Sequence, residues 1–344
     1  MKRNQKFLLY TILLAVLVVS VIMATAIGAV AIPPQETFQI IISRLTGLWQ
    51  NSEIPSTTKA IIWNLRLPRV LLGVLVGASL ALAGVSFQGL LRNPLADPFT
   101  IGVSSGAAVG ATIAILVQQT YHTGFTQMIP FSAFAGALIA MFFIYNLARI
   151  GGQVPVVTLL LAGVVVSSFL SAVISLLMVF AGEDMQGIFF WLSGGLLMRS
   201  WSEILFVLPY LLIGSVILFT YARDLNVLLM GEEAALTLGV NVERTKKVLL
   251  VTASMITAAA VSVSGMIGFV GLIIPHAVRM ITGPDHRVLL PASALVGASF
   301  LVWADVVART VMIPKEIPVG IITAFVGAPF FIYLLRKKKS EIRL

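Results

Sequence analysis

Apolar runs of about twenty residues follow one another along the chain, and charge is confined to the short segments between them. A backbone inside a bilayer has no water to satisfy its N–H and C=O groups, so each run is read as a helix. We read ten spans, at about 7–32, 68–90, 99–118, 130–148, 155–180, 203–221, 248–264, 266–281, 288–308 and 318–335. The seventh and eighth separate at "SVSGMIG", where Gly265 and Gly268 permit a tight reversal. A nine-span reading would leave one unbroken apolar helix over 248–281 and carry the basic C-terminal tail to the other side. The expected fold is an all-α polytopic membrane protein. It is one transmembrane domain over 1–344, with ten transmembrane helices and both termini cytoplasmic.

Only 11% of the residues are charged, too few to cover a water-soluble fold of this length; soluble domains carry roughly 25%. Orientation follows from the basic residues, because cytoplasmic segments hold the excess of Lys and Arg. With the N-terminus inside, the outer segments hold Arg44, Lys59, Arg66, Arg69, Arg199, Arg309 and Lys315, and the rest of the 23 basic residues lie inside. The inner set lies in residues 1–6, the loop 222–247 and the tail 336–344, and at Arg92, Arg149, Arg279 and Arg287. The net charge of +9 is therefore loop charge that fixes orientation, and no nucleic-acid partner is expected. The first run is too long for a signal-peptide core, so it is expected to persist as an uncleaved span. Cysteine is absent, which excludes disulfides and thiolate metal sites. Gly-x-x-x-Gly recurs at 73–77, 102–106 and 106–110. That spacing lets helix backbones approach closely, first within one subunit and second at a dimer seam.

Four stretches have the composition for chemistry or docking. In "GEEAALTLG" (231–239), Glu232 and Glu233 suit a helix's first turn and Gly239 suits its C-terminal cap. Leu236 and Leu238 are apolar residues in a cytosolic loop. They fit either an interfacial helix on the membrane or a helix that fills a groove on a soluble partner. In "GLLRNPLADPFTIGVSSGAAVG" (89–110), Pro94 and Pro98 stop one helix and start another, and Asn93 and Asp97 can cap freed backbone groups. A plain turn and an inner constriction both fit. His276, Asp285 and His286 lie across a Gly-Pro turn without a set ligand spacing, so helix caps are expected there and no metal. In "WADVVARTVMIPKEIPVG" (303–320), Asp305 and Arg309 stand four residues apart and can pair on one helix face. Arg309 can also face an outside partner, as can Arg66 and Arg69 of "WNLRLPRVLLG".

Some functions are disfavoured. No Ser/His/Asp or Cys/His set appears, so no catalytic residue is assigned. Glu183 and Asp184 fall in an outer loop, and Asp305 is the one acid well inside a span. A proton or sodium relay needs ionisable groups near the midplane, which disfavours a secondary transporter. No G-x-x-x-x-G-K-[ST] loop is present, so any ATP used must be bound by another chain.

Together "RLPRVLLGVLVGASLALAGVSFQGLLRNPLADP", "LLLAGVVVSS", "GEEAALTLGV", "GFVGLIIPHAVRMITGPDHRVLLPASALVGASFLVWADVVAR" and "EIPVGIITAFVGAPFFIYLLRK" resemble the FecCD family over about 60–340. These are permeases of ABC importers for iron–siderophores, haem and vitamin B12. The resemblance implies a type II importer: two permease subunits (a homodimer favoured over a heterodimer), two cytoplasmic ATPases, and one extracytoplasmic solute-binding protein, in the cytoplasmic membrane. ATP and Mg belong to the ATPase, and this chain binds no cofactor. The resemblance assigns Gly231, Glu232, Ala235, Leu238 and Gly239 to the helix that couples to the ATPase. It assigns Arg66, Arg69 and Arg309 to binding-protein docking. It places Asn93 and Leu95 at a cytoplasmic gate. A second gate falls on Val156 and Val157 of "VPVVT", where some relatives carry small hydroxyl residues. The implied cargo is an iron(III)–siderophore, with haem or cobalamin next.

Overall fold

The computed structural model describes residues 3–47, 54–121, 127–182 and 185–342. Glu183 and Asp184 lie outside them. The helices are α1 (Arg3–Ala26), α2 (Pro34–Thr46), α3 (Ser56–Ala60), α4 (Leu67–Leu90), α5 (Val103–Tyr121), α6 (Met128–Ala148), α7 (Val156–Val179) and α8 (Met185–Ser193). They continue as α9 (Trp201–Thr220), α10 (Ala222–Leu228), α11 (Glu232–Thr237), α12 (Val242–Ser264), α13 (Val270–Thr282), α14 (His286–Thr310) and α15 (Val319–Ile342). No strand occurs among the described residues; an isolated bridge joins Ile150 and Gln153.

Among the described residues, eight helices are long and apolar enough to cross a membrane by length and composition, and two shorter apolar helices accompany them. The eighth and tenth expected spans fall on shorter apolar helices, Val270–Thr282 and Val319–Tyr333. The reversal at "SVSGMIG" occurs as read. Gly265 takes φ +67, and Phe269 also enters the left-handed region before α13 starts. A Cβ on Gly265 would overlap the Trp191 carbonyl, so the bend is also a site of close packing.

Two boundaries differ from the sequence reading. α1 stops at Ala26 rather than running to 32, because Gly28 and the Pro33–Pro34 pair interrupt it and Arg66 takes its last carbonyls. The second span begins earlier than 68. α3 leads through a π-helical turn, Ile61–Arg66, directly into α4. Pro68 lies just after this wide turn, and Leu67 N–H reaches back to Ile62 O.

α4 and α12 form the centre. In each, about four-fifths of the apolar window is buried (83% and 78%), whereas α1 and α7 bury 11% and 22% of theirs. Small residues set these contacts. A Cβ on Gly77 would overlap Gly297 O of α14, and one on Gly84 would overlap Gly271 O of α13. Gly106 and Gly110 meet Gly136 and Ser132 of α6 in the same way. All three glycine motifs therefore meet neighbours within the subunit. Large apolar side chains on α1, α6, α7 and α9, among them Phe7, Phe142, Phe169 and Leu205, point outward, as a lipid-facing or subunit-facing surface requires.

Candidate functional site

The outer end is organised around one acid and three arginines. Asp305 on α14 is 1% exposed. Arg69, one turn into α4, grips it with Nε at 2.9 and 3.1 Å from the two carboxylate oxygens and Nη2 at 2.8 Å. The same guanidinium reaches Glu316 through Nη1 at 3.1 Å. Arg309, the helical neighbour expected to pair with Asp305, stands farther off. Its Nε is 3.5 Å from Oδ2 and makes no hydrogen bond. Arg69 wins because its fork meets the carboxylate side-on, which gives parallel charge-assisted bonds.

Arg309 and Arg66 serve another end. Arg309 Nη2 donates to Ala24 O at 2.6 Å, while Arg66 donates to Ala26 O at 2.8 Å, Thr25 O at 3.3 Å and Val30 O at 2.6 Å. The carbonyls of Ala24, Thr25 and Ala26 belong to the C-terminus of α1, the negative end of its dipole, and that of Val30 to the segment that follows it. The structure thus brings Arg66, Arg69 and Arg309 into one cluster, as the sequence grouped them. It also engages each with groups of the same chain, and Arg66 and Arg309 are buried.

Beside this cluster lies a cavity of about 340 Å³. Arg69, Glu316, Trp191 and Arg199 line it, with apolar side chains between them.

At the inner end, "GEEAALTLG" forms the short helix α11. Gly231 enters it at φ +115. Gly239, at φ +79, closes it with two bonds, Gly239 N–H to Leu236 O and Val240 N–H to Ala235 O, both 3.0 Å. That pair is a Schellman cap. Ala235 is fully buried against Leu228 and Val242, so the helix is plugged onto α10 and α12. Leu236 and Leu238 point away, 61% and 59% exposed. Glu232 binds Lys246 Nζ at 2.7 Å and stands 3.9 Å from Arg92. Lys246 also takes Glu243 at 3.1 Å and Val154 O at 3.4 Å. One buried lysine therefore ties α11, α12 and the turn before α7. Sequence reasoning passed over Lys246, since "VERTKK" reads as loop charge and nothing local marks which lysine turns inward.

The turn after α4 is built by its own side chains. Asn93 Oδ1 accepts from Leu95 N–H at 2.9 Å and Asp97 Oδ1 from Phe99 N–H at 3.0 Å. Leu95 is 47% exposed at this turn. Val156 packs half-buried against the core at the start of α7, and Val157 stands exposed beside it. Along the exposed face of α7, Val157, Leu161 and Val164 are followed by Ser168, Ser171 and Ser175 at helical spacing. The three hydroxyls are held by carbonyls one turn back.

His286 is held by Asn226. Its N–H and Nδ1 both lie 2.8 Å from Asn226 Oδ1, and Asn226 Nδ2 donates to Asp285 at 2.7 Å. Asp285 caps α14 through Arg287 N–H. Among the described residues, His276, Asp285 and His286 form no ligand cluster.

The FecCD transport family matches residues 16–337. The chain is 54% identical over 286 residues to the cobalamin import system permease protein BtuC of Halobacterium salinarum, covering 83% of this chain and 76% of that one. It is 38% identical to the Fe(3+)-citrate import system permease protein YfmE of Bacillus subtilis, covering 97% and 96%. A solved metal-chelate type ABC transporter in an inward-facing conformation superposes with a TM-score of 0.82 at 33% identity, covering 95% of this chain and 98% of that chain. The chain belongs to the FecCD transport family and is a membrane permease of the metal-chelate, siderophore, haem or vitamin B12 type of ABC importer.

Proposed function

We propose that this chain carries an iron(III)–siderophore across the cytoplasmic membrane, with haem or cobalamin as the alternative cargo, and that it works as a homodimer with both termini in the cytoplasm. Two cytoplasmic ATPases hold the ATP and Mg2+ and dock on α11. An extracytoplasmic binding protein delivers the cargo and docks over Arg66, Arg69 and Arg309. Membrane lipid covers the remaining apolar surface.

The observation that carries this reading is α11 itself. Two exposed leucines on a short helix closed by a Schellman cap make a docking face, while Ala235 and the Glu232–Lys246 bond fix that helix to α12. A push on α11 passes to α12, and from α12 to α4, which packs against it at the centre. The face of α7 supports the conduit. Its inner half is apolar, and the hydroxyls of its outer half are satisfied by their own helix, so it offers cargo a surface without a strong hold. Tight binding then belongs to the delivering protein.

Docking through the arginines has a cost in this state. A partner carboxylate must compete with the α1 carbonyls and with Asp305 and Glu316. Charge pairs of this kind favour encounter rate and register over affinity.

The test is reconstitution in proteoliposomes with the partner ATPase and binding protein. ATP-dependent uptake of a ferric chelate, haem or cobalamin is expected. Its absence with every one of these cargoes overturns the proposal.

A further inference from the structure

The loop between α8 and α9 is tied at several points and presents one cation with no partner among the described residues. Gly195 N–H donates to Ser264 O at 2.7 Å, and Gly320 N–H donates to Gly194 O at 3.2 Å. The loop is thereby tied to the α12–α13 bend and to the start of α15. Met198 is forced to φ +54, a conformation rare for a residue with a Cβ, and its side chain stands in the open. The next residue, Arg199, turns inward. It is half-buried, and it has no hydrogen bond or ion pair among the described residues.

The described acid that acts on it, Glu203, is already spent. Glu203 accepts from Ser200 N–H and Ser200 Oγ, both at 2.8 Å, and from Ser202 Oγ at 3.1 Å, closing the cap of α9. It acts on Arg199 only through its field. Burial pulls the Arg199 pKa down, and the Glu203 charge opposes that. A guanidinium starts so high that it stays charged at neutral pH.

Arg199 lines the outer cavity of about 340 Å³ together with Arg69, Glu316, Trp191 and Phe190. Arg69 is neutralised there by Asp305 and Glu316. Among the described residues, Arg199 is the cavity-lining cation that no hydrogen bond or ion pair holds. A half-buried, unpaired charge is costly unless an opposite charge visits it. The volume suits a small ligand or one arm of a large one. A planar fork with aromatic and aliphatic walls matches a planar carboxylate or a comparable anionic oxygen group.

We propose that Arg199 marks a cargo subsite in the outer cavity, which grips a carboxylate or other anionic oxygen group and favours acidic chelates over neutral ones. This rests on the importer reading and sharpens its cargo class.

Two measurements separate the inference from that reading. In the first, the purified chain in lipid nanodiscs is titrated with citrate, followed by tryptophan fluorescence, since Trp191 lines the cavity. Citrate is expected to bind, and Arg199→Gln is expected to weaken binding at least about tenfold, the loss of a charged hydrogen-bond partner. Arg199→Lys keeps the charge but loses the fork, and should fall between the two. It also carries the test if the glutamine variant fails to fold. No citrate binding by the unaltered chain, or equal binding by all three, overturns the subsite. In the second, the full complex takes up ferric citrate and a neutral ferric trihydroxamate, each with a binding protein that delivers it. Arg199→Gln should slow the first about tenfold and leave the second unchanged. Equal slowing of both overturns the inference. A complex that transports nothing overturns the importer reading instead.

Discussion

Arg69 and Asp305, 236 residues apart, form a side-on pair that joins α4 to α14 at 2.8–3.1 Å. The pair is nearly closed to solvent, with the side chains 11% and 2% exposed. Removing one partner leaves the other charge stranded, which typically costs about 3–5 kcal/mol, whereas removing both is far cheaper. Arg69→Gln should therefore destabilise the chain strongly, and Arg69→Gln with Asp305→Asn should recover much of the loss. Thermal unfolding in detergent, arranged as a double-mutant cycle, checks this. Additive losses would mean the pair contributes little.

Arg66 and Arg309 cap α1, and α1 buries little else. Arg66→Gln with Arg309→Gln should loosen residues 24–30, read as faster amide exchange there, while the packing of α4 and α14 holds. Charge contributions at helix ends run to about 0.3–2 kcal/mol. The same variant in the full complex tests docking. If the binding protein uses these arginines, its stimulation of ATP hydrolysis should drop. Loosened α1 with full stimulation would make them structural caps alone.

The exposed and buried sides of α11 give opposite outcomes. Leu236→Asp with Leu238→Asp changes only exposed positions, so stability should move by no more than about 0.5 kcal/mol. ATPase co-purification should be lost. Ala235→Leu overfills a fully buried site and should cost about 1–3 kcal/mol. Retained ATPase binding by the double aspartate variant would count against α11 as the docking face.

Asp97, in the turn between α4 and α5, has no ion pair among the described residues. Burial pushes its carboxyl up to about 6, with the Phe99 N–H opposing. The folded chain thus keeps the proton where the unfolded chain has lost it. Stability falls as pH rises from about 4 to about 6 and stays lower above that, by roughly 3 kcal/mol at 1.36 kcal/mol per pKa unit. Asp97→Asn keeps the acceptor for Phe99 N–H. It should raise the unfolding temperature at pH 8 and leave it unchanged at pH 4. An equal gain at both would indicate packing rather than ionisation.

Short-range features were legible in the sequence. The apolar runs, the reversal at Gly265, the caps at Asp285 and Gly239 and the glycine spacings all act within a few residues, and the structure shows each in place. The clustering of Arg66, Arg69 and Arg309 was also legible, through family likeness. The choice of partners was not. "ADVVAR" sets Arg309 beside Asp305 by spacing, and the two form an ion pair at 3.5 Å, yet the hydrogen bonds to the acid come from Arg69, because the Gly77–Gly297 contact draws α4 and α14 close enough for its fork to reach it. The inward turn of Lys246 and the unpaired Arg199 have the same origin. An isolated helix can specify its length, caps and apolar face by itself, since those depend on neighbours in sequence. Which charge is buried, and against what, depends on side chains that meet only after the helices have packed.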